Sequence, residues 1–504
     1  MSPSDIEWEQ PDPGQLLLLT SDQDWATLLE RYASQNNTPL KRCFEVARAS
    51  GALSVVIETR YIDLDFRSEY SAFYSRTFES VSDSAHRLHF FGTQLAEHNL
   101  WGLPEDHRYL GYVVVRPSKI ARVGRALLCA PPGLRDSVRT TIRDGVNLFG
   151  QSLEVEGVPF VQQDAQVGRC AHAAAWMCHY SAYRRGDVAR QPMAEFSLSA
   201  EPGLGYGRPL PSPGLTVQQL LELLRVFGLP PKFYHINNLP KSPTVPWTLP
   251  DRADPIDPNK KEHGYWDTRI FRICCRFLNS GFPVMVTTGD HVFVLCGYRR
   301  ETQDGKPDWI HFVRHDDQRG PYLQVGDIFD DKDDDGTYSY TPWQTLIVPL
   351  PDKLWLPPEP VEYVGGLFLQ RFAEQVRSNI SEAQGLLDLI DAKQLALRSY
   401  AITSNGFKTA SQNRLDPTLA REYRLARLSR FVWVVEAIDR TLRRGGQPCV
   451  VGEAIFDATS SEQLPNCLAL HVPGVAWIAQ TDGRFRFPVR CVPDPYLSGG
   501  FGAP

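Results

Sequence analysis

The sequence lacks the features that mark membrane, fibrous and disulfide-stapled proteins. Its apolar runs, such as 16–19 and 282–287, are far shorter than the roughly 18 residues that a membrane-spanning helix requires. The 10 cysteines show no tight, even spacing, which argues against a disulfide framework and predicts mostly free thiols. The N-terminus has neither the basic start nor the apolar stretch of a secretory signal. We therefore expect a cytoplasmic protein that does not contact membranes.

A strong excess of one charge is also missing. The chain has 53 basic and 59 acidic residues, a net charge of -6, whereas a dedicated nucleic-acid binder is usually basic. We therefore expect no nucleic-acid partner. With 42% hydrophobic and 22% charged residues in 504, the composition is that of a globular protein long enough for about three domains.

Several hydrolase and cofactor motifs are absent as well. No G-x-S-x-G, H-E-x-x-H or Walker pattern occurs, which removes the commonest serine-hydrolase, zinc-protease and nucleotide-binding interpretations. We therefore expect neither a cofactor nor a metal site.

The order of helical and strand patterns predicts an α+β protein with three domains. Residues 1–150 mix both patterns and predict an N-terminal mixed α/β domain. Residues 151–350 carry the chemical motifs described below. A Pro-rich segment then leads into residues 351–504, which predict a mainly helical domain that ends in short strands.

Individual elements follow from local composition. The segments 53–61 and 109–116 are rich in β-branched and aromatic residues and predict strands. The aromatic-rich segment 70–91 is interpreted as helix and core. Near the C-terminus, long helical patterns are predicted over 367–398 and 418–444.

In the middle segment, helices come first and strands follow. An alanine-rich run after Cys170 predicts a helix to about residue 184, and Thr216 with Gln219 forms a capping box that opens a second helix over 217–227. Asp267 can cap a third helix to residue 280. Three strands are then predicted, at 282–288, 291–298 and 309–315.

Cys170 is the candidate nucleophile because it stands at the start of its helix, directly after Gly168 and Arg169. The partial positive charge of a helix N-terminus and a neighbouring imidazolium both stabilise a thiolate. In folds of this kind the histidine is remote in the sequence and close in space.

His291 is the best-placed base. It lies at the junction of two predicted strands, which would hold its backbone on a sheet and leave the imidazole at the rim. It follows Cys170 by roughly 120 residues, near the roughly 130 to 150 of papain relatives.

A third group must orient the imidazole. The strand after the one that begins at His291 runs directly into Asp316 and Asp317. We favour Asp316, but Asp317 remains a competitor because one residue of register decides which side chain faces the histidine.

An oxyanion formed during acyl transfer needs hydrogen-bond donors. The backbone N–H of Cys170 is one candidate, and a glutamine side chain shortly upstream is the second. The chain offers Gln162, Gln163 and Gln166, of which we favour Gln163.

These residues together resemble the papain-like cysteine peptidase superfamily. The resemblance rests on Gln163 through Cys170, on Gly289-Asp290-His291 and on His315-Asp316-Asp317, and it covers about residues 155–350. The branch that processes bacteriocin leader peptides looks closest, and the flanking regions look like those of a bacterial multidomain protein. The resemblance implies a Cys-bearing helix packed on an antiparallel sheet that carries His and Asp. Two departures are that glutamine precedes the cysteine by seven positions where six is usual, and that Ala171 follows it where papain has Trp.

The function expected from this resemblance is that of an intracellular cysteine protease or isopeptidase, with a protein or peptide as substrate and a regulatory protein as a possible partner. Two alternatives stay open. One is a transglutaminase or deamidase that uses the same triad. The other is a catalytically idle papain-like scaffold that binds a partner.

Overall fold

The residues described by the computed structural model divide between two compact units. The first unit comprises Met1–Asn237, Gly281–Glu301 and Ile310–Pro351, and the second comprises Asn238–Ser280, Thr302–Trp309 and Asp352–Pro504. Both contain helices and strands, so the predicted α+β class is confirmed. Within these units the described residues are 14–32, 37–118, 120–200, 210–240, 268–301, 309–325, 331–332, 338–339, 343–415, 417–440, 449–460, 465–479 and 489–490.

The N-terminal part of the first unit forms a seven-stranded antiparallel sheet. Its strand order is β1-β2-β3-β4-β5-β7-β6. The strands are β1 (Gly14–Leu18), β2 (Ser54–Tyr61), β3 (Ala85–Phe91), β4 (Tyr109–Val115), β5 (Val123–Leu128), β6 (Ile142–Leu148) and β7 (Gln151–Phe160). The strands predicted at 53–61 and 109–116 are β2 and β4. The domain boundary predicted near residue 150 falls in the hairpin turn between β6 and β7.

A second sheet in the same unit carries the later part of the middle segment. Its strand order is β12-β11-β10-β9-β15-β8, and a two-stranded sheet pairs β13 with β14. The strands are β8 (Pro231–His235), β9 (Val284–Thr287), β10 (Val292–Glu301), β11 (Trp309–Asp316), β12 (Gly320–Val325), β13 (Asp331–Lys332), β14 (Tyr338–Ser339) and β15 (Thr345–Pro349). The three strands predicted between 282 and 315 are β9, β10 and β11.

Helices of the first unit begin at recognisable sequence signals. The capping box predicted at Thr216 is present: the Thr216 hydroxyl oxygen accepts the Gln219 N–H at 3.2 Å, and the Gln219 side chain accepts the Thr216 N–H at 3.0 Å. The helices are α1 (Asp22–Arg31), α2 (Thr38–Ala49), α3 (Leu64–Ala72), α4 (Cys170–Arg184), α5 (Met193–Leu198) and α6 (Val217–Val226).

The helix predicted over 70–91 is wrong for most of its length. Helix α3 ends at Ala72, and the segment finishes in strand β3. All seven residues of β3 are buried. A strand buried on both faces has no polar, solvent-facing side to supply the alternation by which strands are recognised.

One hydrophobic core joins the two sheets of the first unit. Its members run from Leu19 in the N-terminal part to Ile347 in β15. Close backbone approach at Gly297 of β10 helps to bring the two parts together, since a Cβ there would lie 2.1 Å from the Ser137 carbonyl oxygen. Nearby, the Arg139 N–H donates to the Cys296 carbonyl at 2.9 Å. The site-bearing strands therefore share a core with the N-terminal sheet.

The second unit is built on a six-stranded sheet whose strands follow one another in chain order. The helix that contains Gly365 approaches this sheet closely, because a Cβ at Gly365 would lie 2.9 Å from the Val435 side chain. The strands are β16 (Leu395–Thr403), β17 (Phe431–Asp439), β18 (Val450–Asp457), β19 (Cys467–Val472), β20 (Val475–Ile478) and β21 (Val489–Arg490). The helices are α7 (Thr268–Asn279), α8 (Pro358–Val376), α9 (Gln384–Asp391), α10 (Ser404–Arg414) and α11 (Pro417–Leu425).

The C-terminal segment therefore has more strand than the sequence predicted. The helix predicted over 367–398 is divided between α8 and α9 and gives way to β16. The helix predicted over 418–444 ends at Leu425, and β17 occupies 431–439. All nine residues of β17 are buried, including Glu436 and Asp439, so the strand has no solvent-facing side whose alternation would distinguish it from a buried helix.

Two expectations from composition can be compared with the described residues. None of the helices there combines the length and apolarity needed to cross a bilayer. The nine cysteines within the described ranges are all free thiols.

Candidate active site

Cys170 is the first residue of α4, as predicted. Arg169 before it is extended, and its backbone N–H donates to the His172 ring at 3.2 Å, which fixes the start of the helix. The first N–H groups of a helix have no intrahelical acceptor and, with the helix dipole, favour negative charge on a side chain there. The Cys170 thiol is only partly buried, so it combines this position with access to solvent.

Helix α4 is held rigidly because almost all of it is buried. Small side chains from Ala171 to Ala175 lie in the core. Two polar contacts fix the rotation of the helix: the Trp176 indole N–H donates to Asp65 at 3.0 Å, and the Tyr180 hydroxyl donates to Asp144 at 3.0 Å. The alanine-rich run that predicted the helix thus also lets it pack closely against its neighbours.

His291 occupies the short connection between β9 and β10. These strands pair antiparallel, with Thr287 opposite Val292. The Thr288 N–H donates to the His291 carbonyl at 2.9 Å, which closes the turn. The histidine backbone is therefore fixed on the sheet, while its side chain keeps 19% of its surface exposed at the rim.

The imidazole of His291 lies between the thiol and two carboxylates. The Cys170 thiol is close enough to contribute to the raised pKa of the ring. Its Nε2 lies 3.1 Å from Asp316 Oδ1 and 3.8 Å from Asp317 Oδ1. The Nε2–H is bent away from the line to these oxygens, so the contact is better described as an ion pair than as a linear hydrogen bond. Because the carboxylates occupy the Nε2 side, Nδ1 is the nitrogen available to the thiol.

These neighbours decide the charge of His291. Burial by itself lowers the pKa of the ring, but the contacts with Asp316 and Cys170 and the negative charges of both aspartates outweigh it and raise the pKa to about 10. The imidazole is therefore protonated at neutral pH. A protonated histidine beside a thiol is the partner that a thiolate nucleophile requires.

The two aspartates have opposite environments. Burial raises the pKa of Asp316, but its contact with His291, the charge of Arg314 and the Gln318 N–H, which donates to Oδ1 at 3.0 Å, together hold the pKa below its usual value. Burial and the charge of Asp316 raise the pKa of Asp317, and His291 offsets only part of this. The environment thus favours the ionised form of Asp316, the partner of His291, and disfavours the ionised form of Asp317.

The two adjacent glutamines upstream of Cys170, Gln162 and Gln163, have different surroundings. The Gln162 side chain points into the core, where its oxygen accepts the Val123 N–H at 3.0 Å and the Asn37 amide at 3.3 Å. Gln163 lines the same cleft as Cys170 and His291. Of the two neighbouring candidates, only Gln163 lines the cleft.

Gln318 was not anticipated from the sequence. Its side-chain nitrogen lies 3.4 Å from His291 Nδ1, and it lines the cleft. The one sequence signal that could have indicated Gln318 as a site residue is its position directly after Asp316 and Asp317. Only the turn between β11 and β12 brings it back onto the histidine.

The cleft has a volume of about 610 Å³, and three segments contribute most of its lining. Cys170 and Gln163 form one side, and the β9–β10 turn with His291 forms the second. The third comprises residues 212–220, which contribute the apolar side chains of Leu215, Val217 and Leu220. The cleft is thus large enough for a peptide side chain and has an apolar wall beside Cys170.

His291, Asp316 and Asp317 could also hold a metal ion. One donor atom from each lies within 4.8 Å of the others. An ion there would occupy the nitrogen that faces Asp316, so metal binding and orientation of a protonated imidazole are alternative uses of the same ring.

Comparisons with protein-family models, with curated proteins and with solved structures give no match to this chain.

Proposed function

We propose that this chain is a cysteine hydrolase with a papain-like core that cleaves peptide or isopeptide amides. The Cys170 thiolate attacks the carbonyl carbon, and the π electron pair moves to the oxygen, where the Gln163 side chain and the Cys170 N–H stabilise the charge. The His291 imidazolium then gives its proton to the leaving nitrogen as the C–N bond breaks. The product of this half-reaction is a thioester on Cys170 and a free amine.

Water completes the cycle. Neutral His291 takes a proton from water while the water oxygen attacks the thioester carbon. The C–S bond breaks, which returns the electron pair to sulfur and releases the carboxyl product. Asp316 faces Nε2 throughout and keeps Nδ1 directed at the reacting atoms.

The observation that carries this proposal is the position of one ring, His291, between a helix-terminal thiol and a buried carboxylate. Many buried histidines contact one such group, but a protonated ring between a partly exposed thiol and an ionised carboxylate at the edge of a cleft is suited to acyl transfer. Helix α4 also packs against β10, in line with a Cys-bearing helix on a His-bearing sheet.

The test is cleavage of a peptide library by the whole chain, with new termini identified by mass spectrometry. We expect new termini with the wild-type chain and none with Cys170→Ala. Cys129→Ala is the matched control, because Cys129 is also a partly buried free thiol of the first unit. It should cleave like the wild type. Full cleavage by Cys170→Ala would contradict the proposal.

The same samples separate the alternatives. A deamidase or transglutaminase acts on glutamine side chains, so its products keep an intact backbone and carry a glutamate or a cross-link. A scaffold without catalysis leaves the peptides unchanged. In that case, iodoacetamide at mildly acidic pH would label Cys170 no faster than Cys129, because no imidazolium would keep the thiolate populated.

A further inference from the structure

The loop before Cys170 is built around a single buried carboxylate, that of Asp164. One of its oxygens, Oδ1, accepts three consecutive backbone N–H groups, from Gln166 at 3.1 Å, Val167 at 2.8 Å and Gly168 at 2.7 Å. The side chain is 3% exposed. Because one atom holds three successive peptide groups, the path of the loop depends on where this carboxylate points.

The orientation of Asp164 is set from another part of the unit. Its second oxygen, Oδ2, accepts the Tyr74 hydroxyl at 2.9 Å. Tyr74 lies just after α3, within the N-terminal part of the chain. The loop is thus anchored by a side chain that is 90 residues away in the sequence.

A second buried contact fixes the start of the loop. Arg116 donates to both oxygens of Glu69, at 3.0 and 2.9 Å, and to the Gln162 carbonyl at 2.8 Å. Glu69 and Tyr74 are near each other in the chain, so one segment holds the loop at both Gln162 and Asp164. Such charge-assisted contacts between buried groups are strong and directional.

The two donors assigned to the oxyanion lie at the ends of this loop. Gln163 is the residue before Asp164, and the N–H of Cys170 follows the three pinned peptide groups. Between them Ala165 has a left-handed backbone with φ of 64°, a conformation that costs energy for a residue other than glycine. The loop therefore needs its contacts to keep this shape.

We infer that Asp164, oriented by Tyr74, is a positioning residue that sets the spacing of the two oxyanion donors. This inference rests on the proposed function, since it concerns the oxyanion of the same site. Neither side chain touches the substrate. Their effect is confined to reactions in which negative charge develops on a carbonyl oxygen.

Two reagents separate this role from a general structural one. Iodoacetamide alkylates sulfur: the S–C bond forms as iodide leaves, and no oxyanion develops. With N-acetyl-leucyl-leucinal, sulfur attacks the aldehyde carbon, the π pair moves to oxygen, and that oxygen takes the His291 proton to give a hemithioacetal. Only the second adduct places its oxygen between the two donors. The leucyl side chains suit the apolar wall of the cleft.

The experiment compares Tyr74→Phe and Asp164→Asn with Tyr32→Phe as a matched control, in the full chain. Tyr32 is a buried tyrosine of the same unit whose hydroxyl contacts His86 at 3.0 Å, away from the loop. We expect the affinity for the aldehyde to fall at least about tenfold in both loop variants, while the rate of Cys170 alkylation stays within about twofold of the wild type. For comparison, removing an oxyanion donor altogether typically lowers kcat by roughly 100- to 1000-fold. Tyr32→Phe should change neither reaction.

Three outcomes would overturn the inference. If both loop variants bind the aldehyde like the wild type, the loop contacts do not position the donors. If alkylation and aldehyde binding fall together, Asp164 and Tyr74 have only a structural role. If the wild-type chain reacts with neither reagent at Cys170, the proposed function fails and this inference fails with it, which distinguishes that case from the first two.

Discussion

Each unit of the molecule places buried carboxylates beside a histidine, but the surroundings differ. In the second unit, Glu436 and Glu453 are direct cross-strand neighbours in the sheet, and His471 is opposite Glu453. Both glutamates are fully buried. Glu436 accepts from Arg398 at 2.7 Å and from the Tyr400 hydroxyl at 3.0 Å.

In the first unit, by contrast, the histidine is the exposed member of the group. His291 lies at a cleft and has a thiol on one side and Asp316 on the other. The comparison teaches that carboxylate–histidine proximity is not itself a sign of catalysis. What distinguishes the candidate site is a nucleophile and an opening to solvent on the free side of the ring.

Replacing the orienting carboxylate should have the largest effect. Asp316→Asn removes the charge that faces His291 Nε2, and we expect kcat to fall by roughly 100- to 10,000-fold, as in other triads. Glu436→Gln makes the same kind of change in the second unit and should leave kcat within about twofold. Steady-state kinetics on a peptide found in the cleavage screen measures both. Equal losses would remove the distinction between the two sites.

The free energy of unfolding should respond in the opposite order, with a larger loss at Glu436 than at Asp316. Glu436→Ala removes an ion-pair partner of the largely buried Arg398 and one hydrogen-bond acceptor of Tyr400. Removing one partner of a buried ion pair typically costs about 3–5 kcal/mol of unfolding free energy.

Chemical denaturation of the second unit, followed by a probe such as Trp433 fluorescence, would show this loss. Asp316→Asn should leave that transition unchanged, because Asp316 belongs to the first unit. A smaller loss for Glu436→Ala than for Asp316→Asn would contradict the structural role assigned to the glutamate.

The charge of His291 gives a dependence on pH. Its pKa is raised in the folded state to about 10, so its ion pair stabilises the protein fully below its ordinary value of 6.5, and this contribution is lost as the pH rises from there through about 10. Because a single proton is involved, the free energy of unfolding changes by at most about 1.4 kcal/mol per pH unit in this range. NMR of ¹³C-labelled histidine should show a lower pKa for His291 in Asp316→Asn; an unchanged pKa would contradict the ion pair.

The smallest effect is expected at Asp317. Burial and the charge of Asp316 raise its pKa, which favours the neutral carboxyl group, and an amide is a close substitute for that form. Asp317→Asn should lower kcat by less than about fivefold at neutral pH, because the amide replaces a carboxyl group whose charged form is already disfavoured. A loss as large as that of Asp316→Asn would show that the two aspartates act as one unit.

Much of the first unit could be predicted because local signals and the fold agree there. The capping box at Thr216 and the alanine-rich run after Cys170 specify helices by short-range contacts alone. Strands β3 and β17 were missed because they are buried on every side, which removes the alternation on which strand prediction depends.

The sequence by itself determined the order of the chemical groups: a thiol at a helix start, a histidine between two strands and an aspartate pair at the end of the next strand. It left two choices open, between Gln162 and Gln163 and between Asp316 and Asp317. Only tertiary packing decides them: it places Gln163 but not Gln162 in the lining of the cleft, and it brings both aspartates to His291, with Asp316 the nearer at 3.1 Å. Packing turns Gln162 into the core, sets Asp316 against His291 and brings Tyr74 to the loop before Cys170.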